Sequence, residues 1–252
     1  MVPLVDMHVH LLAGLDDAVA MCRRSHAEGV RLSVALAHQN ESWPGVTPDR
    51  IRSATAGLAE RLRAERLEFS VFPTAEVMVG PETEADWQAG KLLSVADRGK
   101  YLLIEFPHNL YLDVRALVRT LFKTGVRPIV AHPERTPELL HDPGRIEELI
   151  GLGALVQIST GSVTKPADAR AERDLKSWLR RGVVHLIGSD GHSPNRRPPQ
   201  LAAAAHKIRR WAGDRVADRV CGIYGAAIVQ GVSLQIMPPE APRRNWFARL
   251  VG

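Results

Sequence analysis

Cysteine is scarce in this chain of 252 residues: Cys22 and Cys221 are the only two. They stand far apart in sequence and suggest no disulfide framework, so a reducing compartment is expected. A thiolate phosphatase needs an arginine six residues past its nucleophile, so that one loop can wrap a phosphate. Six residues past Cys22 stands Glu28, and six past Cys221 stands Ala227. That route is excluded. The chain also lacks a Gly-x-x-x-x-Gly-Lys-Ser/Thr phosphate loop and a dinucleotide fingerprint. No apolar run reaches the about 18 residues of a membrane span. No basic stretch followed by an apolar one opens the chain, so no signal peptide is expected. A cytoplasmic enzyme is the default expectation. The net charge is only +5 and is scattered. It suits anionic substrates without favouring nucleic acid.

The chain does hold enough apolar residues, 45% of the total against 24% charged, for one full core. Its length fits a single α/β domain. Strand-like runs alternate with helix-like segments, which predicts repeated βα units and a parallel sheet. Helices are expected over residues 16–28, 49–66, 112–123, 144–152 and 167–181. Thr47 and Pro48 supply the N-cap and first helical position of the second. Further helices are expected over 198–212, 215–221 and 224–230, with no strand after them. Seven strand-helix units predict a distorted seven-stranded (β/α)7 TIM-like barrel rather than a regular eight. Residues 1–236 form one barrel domain in this reading. Residues 237–252 are Pro-rich, then basic and aromatic, and read as a mobile tail.

Nearly every apolar run ends in a side chain able to ligate metal. Asp6, His8 and His10 follow Leu4 and Val5. His38 follows residues 32–37, and Glu76 follows 69–75. Glu105 closes 101–104, His132 closes 128–131, and Asp190 with His192 follows 183–189. Only the run over 154–160 ends in hydroxyls, with Gln157 inside it. In a parallel barrel the carboxyl ends of the strands converge on one face, which carries the chemistry. Imidazoles and carboxylates gathered there suit a cluster of divalent metals. Alternation puts Asp6, His8 and His10 on one strand face. Two histidines could then grip a metal while Asp6 orients a ring. Of the pair Asp16-Asp17, Asp16 reads as a helix cap or supporting group and Asp17 as a ligand. Glu76 and Glu105 sit inside apolar segments, where a lone buried carboxylate is strongly disfavoured and a metal would compensate it.

Arg135 follows His132 by three residues, and its planar fork matches phosphate oxygens. The competing reading pairs it with Glu134 at the surface. His185 is expected to pack inside a strand, and His26, His141 and His206 to lie at the surface. His108 is left open. Arg196 and Arg197 read as a solvated loop with some attraction for anions.

With these segments in view, the chain resembles the polymerase and histidinol phosphatase (PHP) superfamily of metal-dependent phosphoesterases. More narrowly, it is similar to the bacterial manganese-dependent tyrosine-protein phosphatases that regulate capsule and exopolysaccharide synthesis. The matching segments run in order from Asp6 to His192. They include Leu15-Asp16-Asp17, the strand ending in Glu105, the segment from Ile129 to Arg135, Gln157 with its neighbours, and residues 185–192. The resemblance implies a PHP fold and a three-metal site. His8, His10, Glu76 and Asp190 are implied at one metal, Glu76, Glu105 and His132 at a second, and Asp17, His38 and His192 at a third. Arg135 is implied as the phosphate-binding cation. Two departures affect the substrate side: Ala18 replaces a usual glycine, and the stretch from Ala35 to Asn40 lacks the usual threonine and second histidine.

The expected activity is hydrolysis of phosphotyrosine on a protein, a bacterial tyrosine kinase tail being the expected substrate. Mn2+ is expected from the resemblance, although the ligand types also suit Fe or Zn. Metals would activate water and clamp phosphate oxygens, with Arg135, Asp190 and His192 as the expected catalytic groups. The alternatives are a phosphatase for histidinol phosphate or another small metabolite, and a silent metal-stabilised module that binds a phosphorylated kinase tail.

Overall fold

Seven short strands form the centre of the molecule: β1 (Leu4–Asp6), β2 (Val30–Gln39), β3 (Ser70–Met78), β4 (Tyr101–Glu105), β5 (Arg127–Ala131), β6 (Leu155–Ser159) and β7 (Leu186–Gly188). All neighbouring pairs are parallel, and spatial order follows chain order. The structure is a computed structural model describing residues 2–39, 43–107 and 110–240; His108 lies outside them. The ring closes just past β1 and β7. Met7 N donates to the Ile187 carbonyl (3.2 Å), Asp190 N to that of His8 (2.7 Å), and His10 N to that of Gly191 (2.8 Å). This is the expected seven-stranded barrel.

The two faces of the strands build two apolar layers. One lies inside the ring and holds Val34, Leu36, Leu103, Ile129, Leu155 and Leu186. The helix Tyr224–Val229 plugs its amino end with Ile228 and Val229. The other layer lies between ring and helices and is built from residues such as Ala35, Val77, Leu102, Val130 and Ile187. Period-two alternation keeps the layers apart. The same alternation carries each inward row up to the site: Val34 and Leu36 lead to His38, Leu103 to Glu105, and Leu155 to Gln157.

Helix ends follow local chemistry. The helix Pro48–Ala64 starts with Thr47 accepting from Arg50 N, and Pro48 opens it, as expected. The helix Ala169–Arg181 stops at Gly182 in the left-handed region. The helix Leu15–Ala27 corrects one expectation, because its N-cap is Gly14 rather than Asp16. Asp16 and Asp17 therefore stand in the first turn, where carboxylates favour the helix dipole. Short helices at Thr83–Gln88 and Thr160–Thr164 were not expected from the sequence. Beyond the last helix, Tyr101 Oη donates to the Val232 carbonyl, Arg127 to that of Leu234, and Arg181 Nε to that of Glu240, whose N donates to the Arg181 carbonyl. The tail over 241–252 lies outside the described residues.

Candidate metal centre and phosphate cradle

Glu76 is the hub of the carboxyl face. It is buried at the end of β3, in register with His38 on β2. His8 Nε2 stands 3.2 Å from its carboxylate, His10 Nε2 3.3 Å, His38 Nδ1 3.3 Å and His132 Nε2 3.0 Å. Glu105, in register with Met78, adds a contact of 3.2 Å to His38 and one of 3.8 Å to His132. Asp190 Oδ1 lies 3.5 Å from both His8 and His10. The ring of His192 stacks 3.9 Å from that of His10. Four overlapping groups result: His8–His10–Glu76, His8–His132–Asp190, His38–Glu76–Glu105 and His10–His38–His192.

The strand ends supply these positions at some conformational cost. His132 and Asp190 both adopt left-handed backbone, at φ 33° and 53°. Non-glycine residues rarely do so, and such strain concentrates at functional sites. At His132 the turn starts the short 3-10 segment Pro133–Arg135 and sends Arg135 to the pocket. Gly188 leaves room for the cluster: an added Cβ would overlap His8 Cβ and the Gln157 amide.

Mutual contacts set the charge state. Burial opposes ionisation of Glu76, but the His8 charge, the close His10 imidazole and the hydrogen bond from His132 hold its carboxyl well below the usual range. Burial opposes ionisation of Asp190 too, yet His10, His8, Arg135 and Arg197 hold it low. His8 is pushed up to about 9, because Glu76 and Asp190 outweigh its burial. His38 is raised chiefly by its hydrogen bond to Glu105. His192 moves the other way, to about 4, through burial and then the charges of His10 and Arg197. Its Nδ1 lies 2.9 Å from the Asp190 carbonyl, which leaves Nε2 as a free lone pair.

The donor set fits divalent cations. It is imidazole nitrogen and carboxylate oxygen without thiolate. Among the described residues, the buried Nε2 atoms of His8 and His10 lack a hydrogen-bond partner. Unpaired buried polar atoms are costly, and a cation would use both lone pairs. Gln157 Oε1, 3.1 Å from His8 Nδ1, turns the other nitrogen inward. Such a supporting bond commonly orients a ligating imidazole. The sequence marked Gln157 as unusual without giving it this task.

The structure departs from the expected site at three places, Asp17, Asp6 and Arg197, and it removes the competing reading of Glu134. Asp17 is exposed on its helix and does not join the converging groups; Ala18, Val19 and Cys22 take the buried face of that helix. Asp6 orients no ring. β1 breaks at a bend on Met7, and Asp6 Oδ1 instead accepts from the backbone of His8 (3.1 Å) and Ser189 (2.9 Å). Burial pushes its carboxyl up to about 6. Glu134 is not a surface partner of Arg135: it is buried and accepts from Ser159 N at 2.8 Å. Arg197 does not drift in solvent. Its carbonyl accepts from His192 N at 2.8 Å, which folds the loop back, and its guanidinium binds Asp190 Oδ2. Arg135 binds the same oxygen and reaches Ser159 Oγ at 3.0 Å.

Both guanidinium groups therefore edge a cavity of about 340 Å³ over the cluster. Glu76, Glu105, His132 and Asp190 form its floor, and Trp43, Met78, Phe106 and Pro107 form part of its wall.

Comparison with known proteins agrees with this geometry. The chain is 30% identical over 221 residues to the tyrosine-protein phosphatase YwqE of Bacillus subtilis, spanning 84% of this chain and 87% of that one. It is 24% identical over 230 residues to the tyrosine-protein phosphatase CpsB of Streptococcus pneumoniae, covering 86% and 94%. A crystal structure from the YwqE and CpsB pair, described as unique metal-dependent tyrosine phosphatases, superposes with a TM-score of 0.85 at 25% identity, over 96% of this chain and all of that one. A histidinol phosphate phosphatase from Lactococcus lactis shares the fold at a TM-score of 0.57 and 11% identity. Residues 4–230 match the family described as capsular polysaccharide synthesis, CpsB/CapC. The chain belongs to the CpsB/CapC family.

Proposed function

We infer that the protein is a metal-dependent phosphoric monoester hydrolase acting on phosphotyrosine in proteins, with a bacterial tyrosine kinase of the capsule or exopolysaccharide pathway as its substrate. One observation carries this reading. Arg135 and Arg197 meet Asp190 on the rim of the cavity whose floor is the Glu76 cluster. A phosphate dianion placed there faces two guanidinium forks and a site built for cations. The family relationship, with relatives named as tyrosine-protein phosphatases, supports the substrate class.

The proposed ligands are His8, His10, His38, Glu76, Glu105, His132, Asp190 and His192, with Mn2+ as the proposed ion. Divalent ions there would supply an activated water at neutral pH and neutralise charge on phosphoryl oxygens. Gln157 orients His8, and the Asp190 carbonyl orients His192, so each presents Nε2. Asp17 is proposed as a further donor, because the His10–His38–His192 group has no carboxylate to balance a divalent charge. Arg135 and Arg197 would hold the equatorial oxygens as the phosphoryl group flattens in the transition state. His192, unprotonated at neutral pH, is a lone-pair donor rather than an acid. Phenol, with a pKa of about 10, leaves with little proton assistance. The reaction is proposed to run in the cytoplasm; no helix among the described residues is long and apolar enough to cross a membrane.

The test compares rates on a phosphotyrosine peptide and on histidinol phosphate, with Mn2+, with chelator, and after Mn2+ is restored. Faster, chelator-sensitive and restorable hydrolysis of the peptide is expected. A preference for histidinol phosphate would move the protein to small metabolites. Full activity under chelator would remove the metal.

A further inference from the structure

Trp43 is the side chain the mechanism leaves unused. It is 55% exposed, and it lines the cavity over the metal cluster. It also lines two further cavities, of about 580 and 420 Å³. The backbone beneath it is firmly held. Val46 N donates to the Trp43 carbonyl at 2.9 Å, closing a turn. Arg50 donates to the Gly45 carbonyl at 3.0 Å. Buried Gln39, next to His38, donates to the carbonyls of Val46 and Lys91, and its own oxygen accepts from Leu93 N. An exposed indole is thus mounted on a turn anchored to a ligand-bearing strand.

We propose that Trp43 is the aryl-specificity residue, stacking on the aromatic ring of the phosphoester in the cavity that the two arginines also line. This proposal rests on the phosphotyrosine reading above. The cavity has two unlike sides. Arg135, Arg197 and the cluster take the phosphate, so the organic group must lie toward Trp43, Met78, Phe106 and Pro107. Phe106 is already buried and packed against Tyr111, at 5.5 Å between ring centres. Trp43 keeps most of its face in solvent. Covering that face with a second ring gains apolar burial and a favourable quadrupole contact. An alkyl ester offers no ring to stack. The two further cavities that Trp43 lines offer room for the peptide on either side of a bound tyrosine.

The experiment uses the Mn2+-loaded protein with Trp43→Ala and Trp43→Phe. It measures kcat and KM for a phosphotyrosine peptide and a phosphoserine peptide of the same sequence. Calorimetry then measures binding of phenylphosphonate and methylphosphonate, which do not hydrolyse. Trp43→Ala is expected to raise KM for phosphotyrosine, and Kd for phenylphosphonate, by about tenfold, the scale of an aromatic pair. The kcat on phosphotyrosine and methylphosphonate binding should hold, and Trp43→Phe should restore most of the loss. Unchanged phenylphosphonate binding in Trp43→Ala would overturn the proposal. Equal losses for phenyl and methyl ligands would overturn it too, since the indole would then only shape the rim. If the unaltered protein prefers phosphoserine, the phosphotyrosine reading itself fails. That outcome shows in the unaltered protein and needs no variant.

Discussion

Gln157 lies on the sixth strand and His8 just past the first, yet their side chains meet at 3.1 Å with both residues buried. The amide oxygen accepts from Nδ1 and leaves Nε2 facing Glu76 and Asp190. Gln157→Leu keeps the volume but removes the acceptor. Metal affinity should fall about ten- to a hundredfold, the usual scale for losing such a supporting bond, while the far-ultraviolet circular dichroism stays unchanged. Unaltered affinity in a titration against a metal indicator would show that His8 needs no such orientation.

The two arginines should be separable from the ligands. Arg135→Ala should reduce turnover by about a hundredfold or more, as when one charge-stabilising group is removed, and leave metal content intact. Arg135→Lys should recover only part, because an ammonium cannot reproduce the fork. Arg197→Ala should act in the same direction, whereas His132→Ala should lower metal occupancy as well as rate. Near-normal turnover in Arg135→Ala would reduce that residue to a partner of Asp190 and Ser159.

Asp17 gives a direct contest between charge balance and position. Its side chain, on the helix Leu15–Ala27, makes no ion pair or hydrogen bond among the described residues. If it completes the His10–His38–His192 group, Asp17→Asn should remove one equivalent of metal and spare those held around Glu76. Metal analysis of the purified variant decides. An unchanged stoichiometry leaves Asp17 as the exposed first-turn acid that the structure shows.

Neither thiol should matter to chemistry. Cys22 and Cys221 are buried, and burial pushes both thiols up to about 12, far from a thiolate at neutral pH. Turnover in Cys22→Ala and Cys221→Ala should match that of the unaltered protein. A loss of several orders of magnitude in either folded variant would argue for a covalent thiol mechanism.

His185 predicts an acid-sensitive stability. It is buried, its Nδ1 accepts from Val156 N at 3.0 Å, and burial plus the Arg127 charge depresses its pKa from 6.5 to about 3. The unfolded chain therefore takes up a proton that the folded chain refuses. The associated stability is complete above about pH 6.5 and falls as pH drops toward about 3. The loss is about 1.4 kcal/mol per pH unit inside that window. His185→Gln retains an acceptor without a titration. Urea unfolding from pH 7 to pH 5 should show a steeper loss in the unaltered protein by this amount. Parallel pH profiles would mean that His185 is protonated in the fold.

The legible part of the fold and site was the part governed by short periods. Short apolar runs marked seven strands, and a polar residue where a run stops marked His38, Glu76, Glu105 and His132. What escaped depended on contacts between distant segments or on loop geometry. Arg197 reads as a solvated loop residue until the bond from His192 N to its carbonyl folds the loop back on Asp190. The competing surface pair of Glu134 with Arg135 falls only when the left-handed turn at His132 points Glu134 to Ser159 N. Asp6 and His8 share a parity, but the bend at Met7 separates their tasks.

Closure of the ring between His8–His10 and Asp190–Gly191 has a consequence for how the chain folds. The backbone bonds that join these segments link residues about 180 positions apart. Contacts of such long sequence separation carry a large loop-closure entropy and tend to form late. On a ribosome, His8 and His10 emerge about 180 residues before their partners, which arrive only when most of the barrel has been made. Earlier chain lengths hold histidines and glutamates but no assembled pocket. High-affinity metal capture should thus coincide with completion of the barrel, so that a cell loads only finished molecules.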